Sequence, residues 1–174
     1  MNKKGLEQVI SVYWFAILII VAGGIFAMVY TFYNSPYDIR EVEATFLANK
    51  ISSCLSENGK LNLELNTDGV FNESFKNNFL DKCSINFDVE KDFEEKNQFY
   101  VKINFFKLED LGDSIFEISE GNKNLESNCE IQEDEEHEKL AKCMEKNFYS
   151  LDNKNNQYII KILSVVRKTE KNVK

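Results

Sequence analysis

Between Glu7 and Asp38 the chain carries no charged residue. Those thirty positions would span roughly 45 Å as an α-helix, more than the ~30 Å hydrocarbon thickness of a bilayer. A buried helix of a water-soluble domain rarely needs so long an uncharged stretch. A secretory signal has an apolar region of only about 7 to 15 residues before its cleavage site. Aromatic residues stand near both ends, Tyr13 and Trp14 at one and Tyr30, Phe32 and Tyr33 at the other. Tyr13 and Tyr33 are about 30 Å apart on a helix, the separation of the two interfacial aromatic belts. The run is therefore expected to span a membrane and to stay there, with the lipid bilayer as its first partner.

The flanks give orientation. Lys3 and Lys4 precede the run, whereas SPYDIREVE follows it with Arg40 as its one cation. Counting only Lys and Arg, two against one place the N-terminus in the cytoplasm and the rest outside. Taking the run to end at Tyr33, 141 residues remain, enough for one domain with its own core. The net charge is -8, and Lys3, Lys4 and Glu7 contribute +1, which leaves -9 for the remainder. So acidic a domain is a poor ligand for nucleic acid or anionic lipid.

Cys54, Cys83, Cys129 and Cys143 all lie in that outer part, and none has Cys-x-x-Cys spacing. An even number in an oxidising compartment reads as two disulfides rather than a zinc or thioredoxin-like site. Three pairings are possible. Short loops favour Cys54 with Cys83 and Cys129 with Cys143.

After the span, NSPYDIREVEATFLANKISSCLSENGK predicts a second helix. Ser35 suits the N-cap, Pro36 the first helical position, and Asp38 completes a pattern like a capping box. Ile39, Val42, Phe46, Ile51, Cys54 and Leu55, with Leu47 beside them, follow a 3.6-residue stripe, and Gly59 reads as the stop. Strands are expected at 61–65, 85–89, 99–106, 114–118 and 157–166, with helices around 72–82 and 135–148. The fold class is α+β: a long N-terminal helix with a transmembrane and an amphipathic half, then a small, mostly antiparallel β-sheet head with short helices.

The stretch KKGLEQVIS resembles the processing site of archaeal type IV pilin-like proteins, where a basic residue and glycine precede the cut and an apolar helix follows. The resemblance implies a leader over 1–5, with Lys4, Gly5 and Leu6 forming the site at which a prepilin-type peptidase cuts. It also implies a retained helix over 6–33 that spans or assembles, an amphipathic half over 34–59, and an extracytoplasmic head over 60–174 packed on that half. Copies of the chain or other pilin-like subunits would be its partners, through surfaces such as Gly23 and Ala27, small residues four apart that let helices approach. Bacterial members place glutamate at the fifth mature position, which is Ile10 here, and Glu7 would be second. The alternative is an uncleaved single-pass protein presenting a binding domain outside the cell.

An enzymatic reading finds little to stand on. The single histidine, His137, lies four residues after Glu133 in an acidic run that reads as a solvated face. No nucleophile elbow, phosphate loop, dinucleotide fingerprint or HExxH is present. A structural protein without cofactor or metal is expected. Asn72-Glu73-Ser74 matches the N-glycosylation sequon, a pattern that also arises by chance in an asparagine-rich chain. Arg167, Lys168, Lys171 and Lys174 form a basic end that reads as solvated.

Overall fold

In the computed structural model, residues 3–34, 37–87, 98–109, 112–130, 140–169 and 172–173 are described. The chain forms two compact units, Met1–Tyr37 and Asp38–Lys174. The first is a single helix, α1 (Lys3–Asn34). Of its described side chains, only Ile17 is as much as half-buried.

The second unit opens with α2 (Arg40–Leu55). Ser35 and Pro36 lie outside the described residues. The N-cap is Ile39, whose side chain caps nothing. Asp38 does not complete a capping box either, because a neighbouring cation claims it: its carboxylate accepts from the Arg40 backbone N–H at 3.0 Å and from Nε of the same residue at 2.9 Å. Arg40 is 1% exposed and donates also to the Leu140 carbonyl. A guanidinium buried so deeply needs a carboxylate, and Asp38 supplies one in an ion pair at 2.5 Å.

Gly59 is not the stop of α2, which ends at Leu55 with Ser56 already extended. Asn58 and Gly59, with φ of 52° and 78°, instead make the tight turn between β1 (Ser56–Glu57) and β2 (Lys60–Leu61). Asp68 and Gly69, with φ of 58° and 88°, do the same between β3 (Asn66–Thr67) and β4 (Val70–Phe71). The expected strand over 61–65 is thereby limited to its first residue. Asn62 turns the chain, its carbonyl accepting from the backbone N–H groups of Leu65 and Asn66.

Two short helices, α3 (Glu73–Asn77) and α4 (Phe79–Lys82), replace the one expected over 72–82. Of the strand expected over 85–89, residues 88–89 lie outside the described residues and 85–87 have no strand conformation, although Ile85 and Phe87 are buried. The remaining elements are β5 (Phe99–Lys107), β6 (Phe116–Gly121), a 3-10 turn (Lys123–Leu125), α5 (Ser127–Glu130), β7 (Lys142–Leu151) and β8 (Gln157–Val166). The helix expected over 135–148 is corrected: its first five residues lie outside the description, and from Lys142 onward the chain is strand. Tertiary pairing decides this, since β8 is apolar on both faces and needs a neighbour on each edge.

Six strands form one sheet in the order β1-β2-β7-β8-β5-β6, antiparallel except for the single β2–β7 pairing. Val101, Ile103 and Phe105 of β5, Ile118 of β6, and Ile160 and Ile162 of β8 form one core with Leu47, Ala48, Ile51 and Leu55 of α2 and with Phe75 and Phe79. Phe71 closes one end against Phe105 and Phe116, with ring centroids at 4.9 and 4.7 Å. A smaller cluster of Tyr100, Leu125, Ala141 and Val165 covers part of the opposite face.

The buried face of α2 is Arg40, Ala44, Leu47, Ala48, Ile51 and Leu55. This corrects the expected stripe, because Ile39, Val42 and Phe46 are exposed by 40%, 68% and 68%. The two alanines turn the helix toward the sheet, where their small side chains permit close approach and Ser164 meets the helix backbone.

Candidate membrane anchor and head surface

Residues 12–34 of α1 are long and apolar enough to cross a membrane, and none of that window is buried against the rest of the chain. Full exposure of Leu18, Ile20, Ile25, Phe26 and Met28 to water would be very costly, at roughly 1.5–3 kcal/mol per large side chain. A bilayer removes that cost, and among the described residues α1 is the one helix suited to it, which supports a single-pass membrane topology. Helical backbone begins at Lys3 and runs through Lys4, Gly5 and Leu6, so the expected processing site lies inside the first turns of α1. Gly23 and Ala27 are exposed, and nothing lies within 4 Å of the position a Cβ on Gly23 would take.

Two disulfides staple the head. Cys54, one residue before the end of α2, is bonded to Cys83 at the end of α4, with Cα atoms 5.5 Å apart. Cys129 of α5 is bonded to Cys143 of β7, with Cα atoms 5.7 Å apart. These are the two short-loop pairings. The first ties α2 to the α3–α4 segment, and the second holds α5 on the outer face of the sheet.

Backbone pairing closes the end of the head at which the chain arrives. Asp38 bridges Val173, Ile39 N–H donates to the Asn172 carbonyl at 2.9 Å, and the Asn172 side chain donates to Glu43 and to the Arg167 carbonyl. Asp38 is held below the usual carboxylate range chiefly by its hydrogen bond from Arg40. On the outer sheet face Glu126 accepts from Lys102 at 2.7 Å and from the Tyr100 hydroxyl at 3.1 Å. The Lys102 ammonium lowers the Glu126 carboxyl, and burial raises the Tyr100 phenol.

Beside the exposed Phe46, a cleft of about 200 Å³ is lined by Leu47, Lys50, Ile85, Phe87 and Phe99. A second cleft, of about 230 Å³, adjoins Asn72 and is more polar, with Glu64, Thr67, Ser74 and Lys82 on its walls. Both are smaller than the ~300 Å³ at which ordinary small-ligand pockets begin. Glu133 and His137 lie outside the described residues. Among the described residues no group of three histidine, cysteine, aspartate or glutamate side chains is placed to hold a metal ion. Sequence reasoning missed the exposed Ile39, Val42 and Phe46 as a surface, having assigned them to the core.

A single apolar N-terminal helix followed by a disulfide-bonded, mainly antiparallel sheet head, with a helix packed on the sheet, defines the general plan of a pilin-like, membrane-anchored protein. No family model, no curated protein and no solved structure matches the chain.

Proposed function

We propose that this protein is a structural subunit of the type IV pilin class, of archaeal type, cut between Gly5 and Leu6 by a prepilin-type peptidase and assembled through its N-terminal helix. The observation that carries the reading is an apolar helix with an exposed spanning segment, joined to a small, disulfide-stapled head. Such a helix serves equally as an anchor before assembly and as packing surface afterwards. Gly23 and Ala27 supply the small side chains that close helix packing requires. The exposed Val42 and Phe46, on the side of α2 away from the sheet, give the head apolar surface of its own for lateral contact with further subunits. Its role is structural and its partners are the bilayer, the peptidase and copies of itself.

The N-terminus lies in the cytoplasm and the head outside, in keeping with Lys3 and Lys4 before the span and with two disulfides beyond it. Co-expression with an active prepilin-type peptidase tests the processing step. The wild type should lose Met1 to Gly5, and Gly5→Leu should retain them. Intact wild type beside a processed control substrate would establish the alternative, an uncleaved single-pass protein presenting its head outside the cell.

A further inference from the structure

We propose that Asn72 is the acceptor of an N-linked glycan whose first sugar rests in the polar cleft beside it. The inference relies on the head lying outside the cytoplasm. Of the asparagines in the chain, only Asn72 has serine or threonine two positions on without an intervening proline. The structure sets this tripeptide on the surface: Asn72 links β4 to α3, Glu73 and Ser74 open α3, and all three are exposed.

The local geometry suits an acceptor. Asn72 Oδ1 accepts from the Ser74 backbone N–H at 2.9 Å, folding the sequon into an Asx turn, and Nδ2 donates to the Glu64 carbonyl at 3.1 Å. In the transfer, Nδ2 forms a bond to the anomeric carbon of a polyprenyl-pyrophosphate-linked oligosaccharide. The bond from that carbon to the pyrophosphate oxygen breaks, polyprenyl pyrophosphate leaves with its electron pair, and one Nδ2 proton goes to solvent. A secondary amide remains, with one N–H for Glu64 and Oδ1 still capping α3. The fold can therefore hold the modified side chain with its present hydrogen bonds.

The adjoining cleft supplies the second observation. Its volume of about 230 Å³ is small for a self-sufficient ligand site, but its lining carries Glu64, Thr67, Ser74 and Lys82 together with Leu63 and Phe75. Carboxylate, hydroxyl and ammonium groups beside two apolar side chains match the hydroxyls and the less polar face of a pyranose ring. Lys82 and Glu64 already pair across it at 2.7 Å. A covalently held sugar needs only such partial seating, since its attachment does not depend on the cleft.

Glycopeptide mass spectrometry of protein isolated from the membranes of the cells that make it tests the proposal. The expected result is a peptide containing Asn72 that carries a hexose-based mass increment, lost in Asn72→Gln and in Ser74→Ala and kept in Ser74→Thr. Ser74→Ala leaves the cap of α3 intact, because that bond comes from the backbone N–H, so loss of the increment there reports the sequon and not folding. A wild-type peptide at its unmodified mass, or an increment that survives Ser74→Ala, would overturn the inference. Protease accessibility of the head in sealed spheroplasts, read on the same sample, tells whether an unmodified peptide reflects a head on the cytoplasmic side or an unused acceptor on the outside.

Discussion

Ser164 Oγ, in the middle of the sheet, donates a 2.7 Å hydrogen bond to the backbone carbonyl of Ala44 on α2, and neither residue has measurable exposure. The helix thus meets the sheet here through a serine and an alanine, both small. Ser164→Ala should cost about 1 kcal/mol through the lost hydrogen bond. Ser164→Leu should cost about 2 to 4 kcal/mol, since its side chain must push α2 off the sheet. The urea midpoint of the head in detergent micelles, followed by near-ultraviolet circular dichroism, measures both.

Gly121 ends β6 with φ of 93°, and a Cβ there would lie 2.2 Å from the Phe99 carbonyl oxygen. No flexible side chain can yield, because the obstacle is backbone. Gly121→Ala should destabilise the head by at least about 2 kcal/mol. Gly59→Ala, strained in φ but with open space around the new methyl, should cost clearly less. Comparing the two urea midpoints separates steric overlap from backbone strain.

Asp152 organises the turn between β7 and β8. Its buried carboxylate accepts from the backbone N–H groups of Lys154 and Asn156, from Asn156 Nδ2 and from the Tyr158 hydroxyl. Burial pushes this carboxyl up, but the four donors outweigh burial and the net displacement is downward. A carboxylate lowered by folding contributes stability that is present above its unfolded value, near 4, and is lost as pH falls through the folded value. Asp38 and Glu126 act in the same sense, and Glu120, raised by burial, in the opposite one. Asp152→Asn should cost about 2 kcal/mol at pH 7 and little at pH 2, so the stability of the variant should fall less steeply below pH 5 than that of the wild type. Urea titrations across that range give both slopes.

The two disulfides close loops of 29 and 14 residues. Chain entropy assigns each about 3 to 4 kcal/mol, with the larger share for Cys54–Cys83. Cys54→Ser with Cys83→Ser should therefore lower the urea midpoint more than Cys129→Ser with Cys143→Ser. Non-reducing peptide maps of the wild type should show these two linked pairs and no crossed ones.

Much of the fold is legible in the sequence because the informative segments are long. The uncharged run announces α1, and β5 and β8 read as strands since FYVKINFF and QYIIKILSVV are apolar enough to be covered on both faces. What is not legible is decided by partners distant in sequence. Nothing within KCMEKNFYSL requires a strand until β8 lies beside it. The inward face of α2 is marked by Ala44 and Ala48, which a search for large apolar residues passes over, so Val42 and Phe46 are misassigned to the core. The Asn58-Gly59 and Asp68-Gly69 turns did carry a signal, since both pairs favour two successive positive φ values. Reading Gly59 as a helix stop hides the first of them.

Of the candidate site residues, the cysteines are the most readily read, because loop length alone favours the pairs the fold joins. The sequon at Asn72 is visible as letters, but its Asx turn and the adjoining cleft depend on β3, β4 and α4 coming together. Under the proposed function Lys4, Gly5 and Leu6 would act through an encounter with a peptidase, which neither a helical pattern nor the folded head reveals.

The central claim is that the apolar helix is a processed and retained assembly element. Its most direct test is the N-terminus of the protein purified from its native membrane, determined by intact-mass and terminal-peptide analysis. The account predicts a chain that begins at Leu6 and keeps the whole apolar run. A chain that still begins at Met1 or Asn2 in the presence of active prepilin-type peptidase would contradict it.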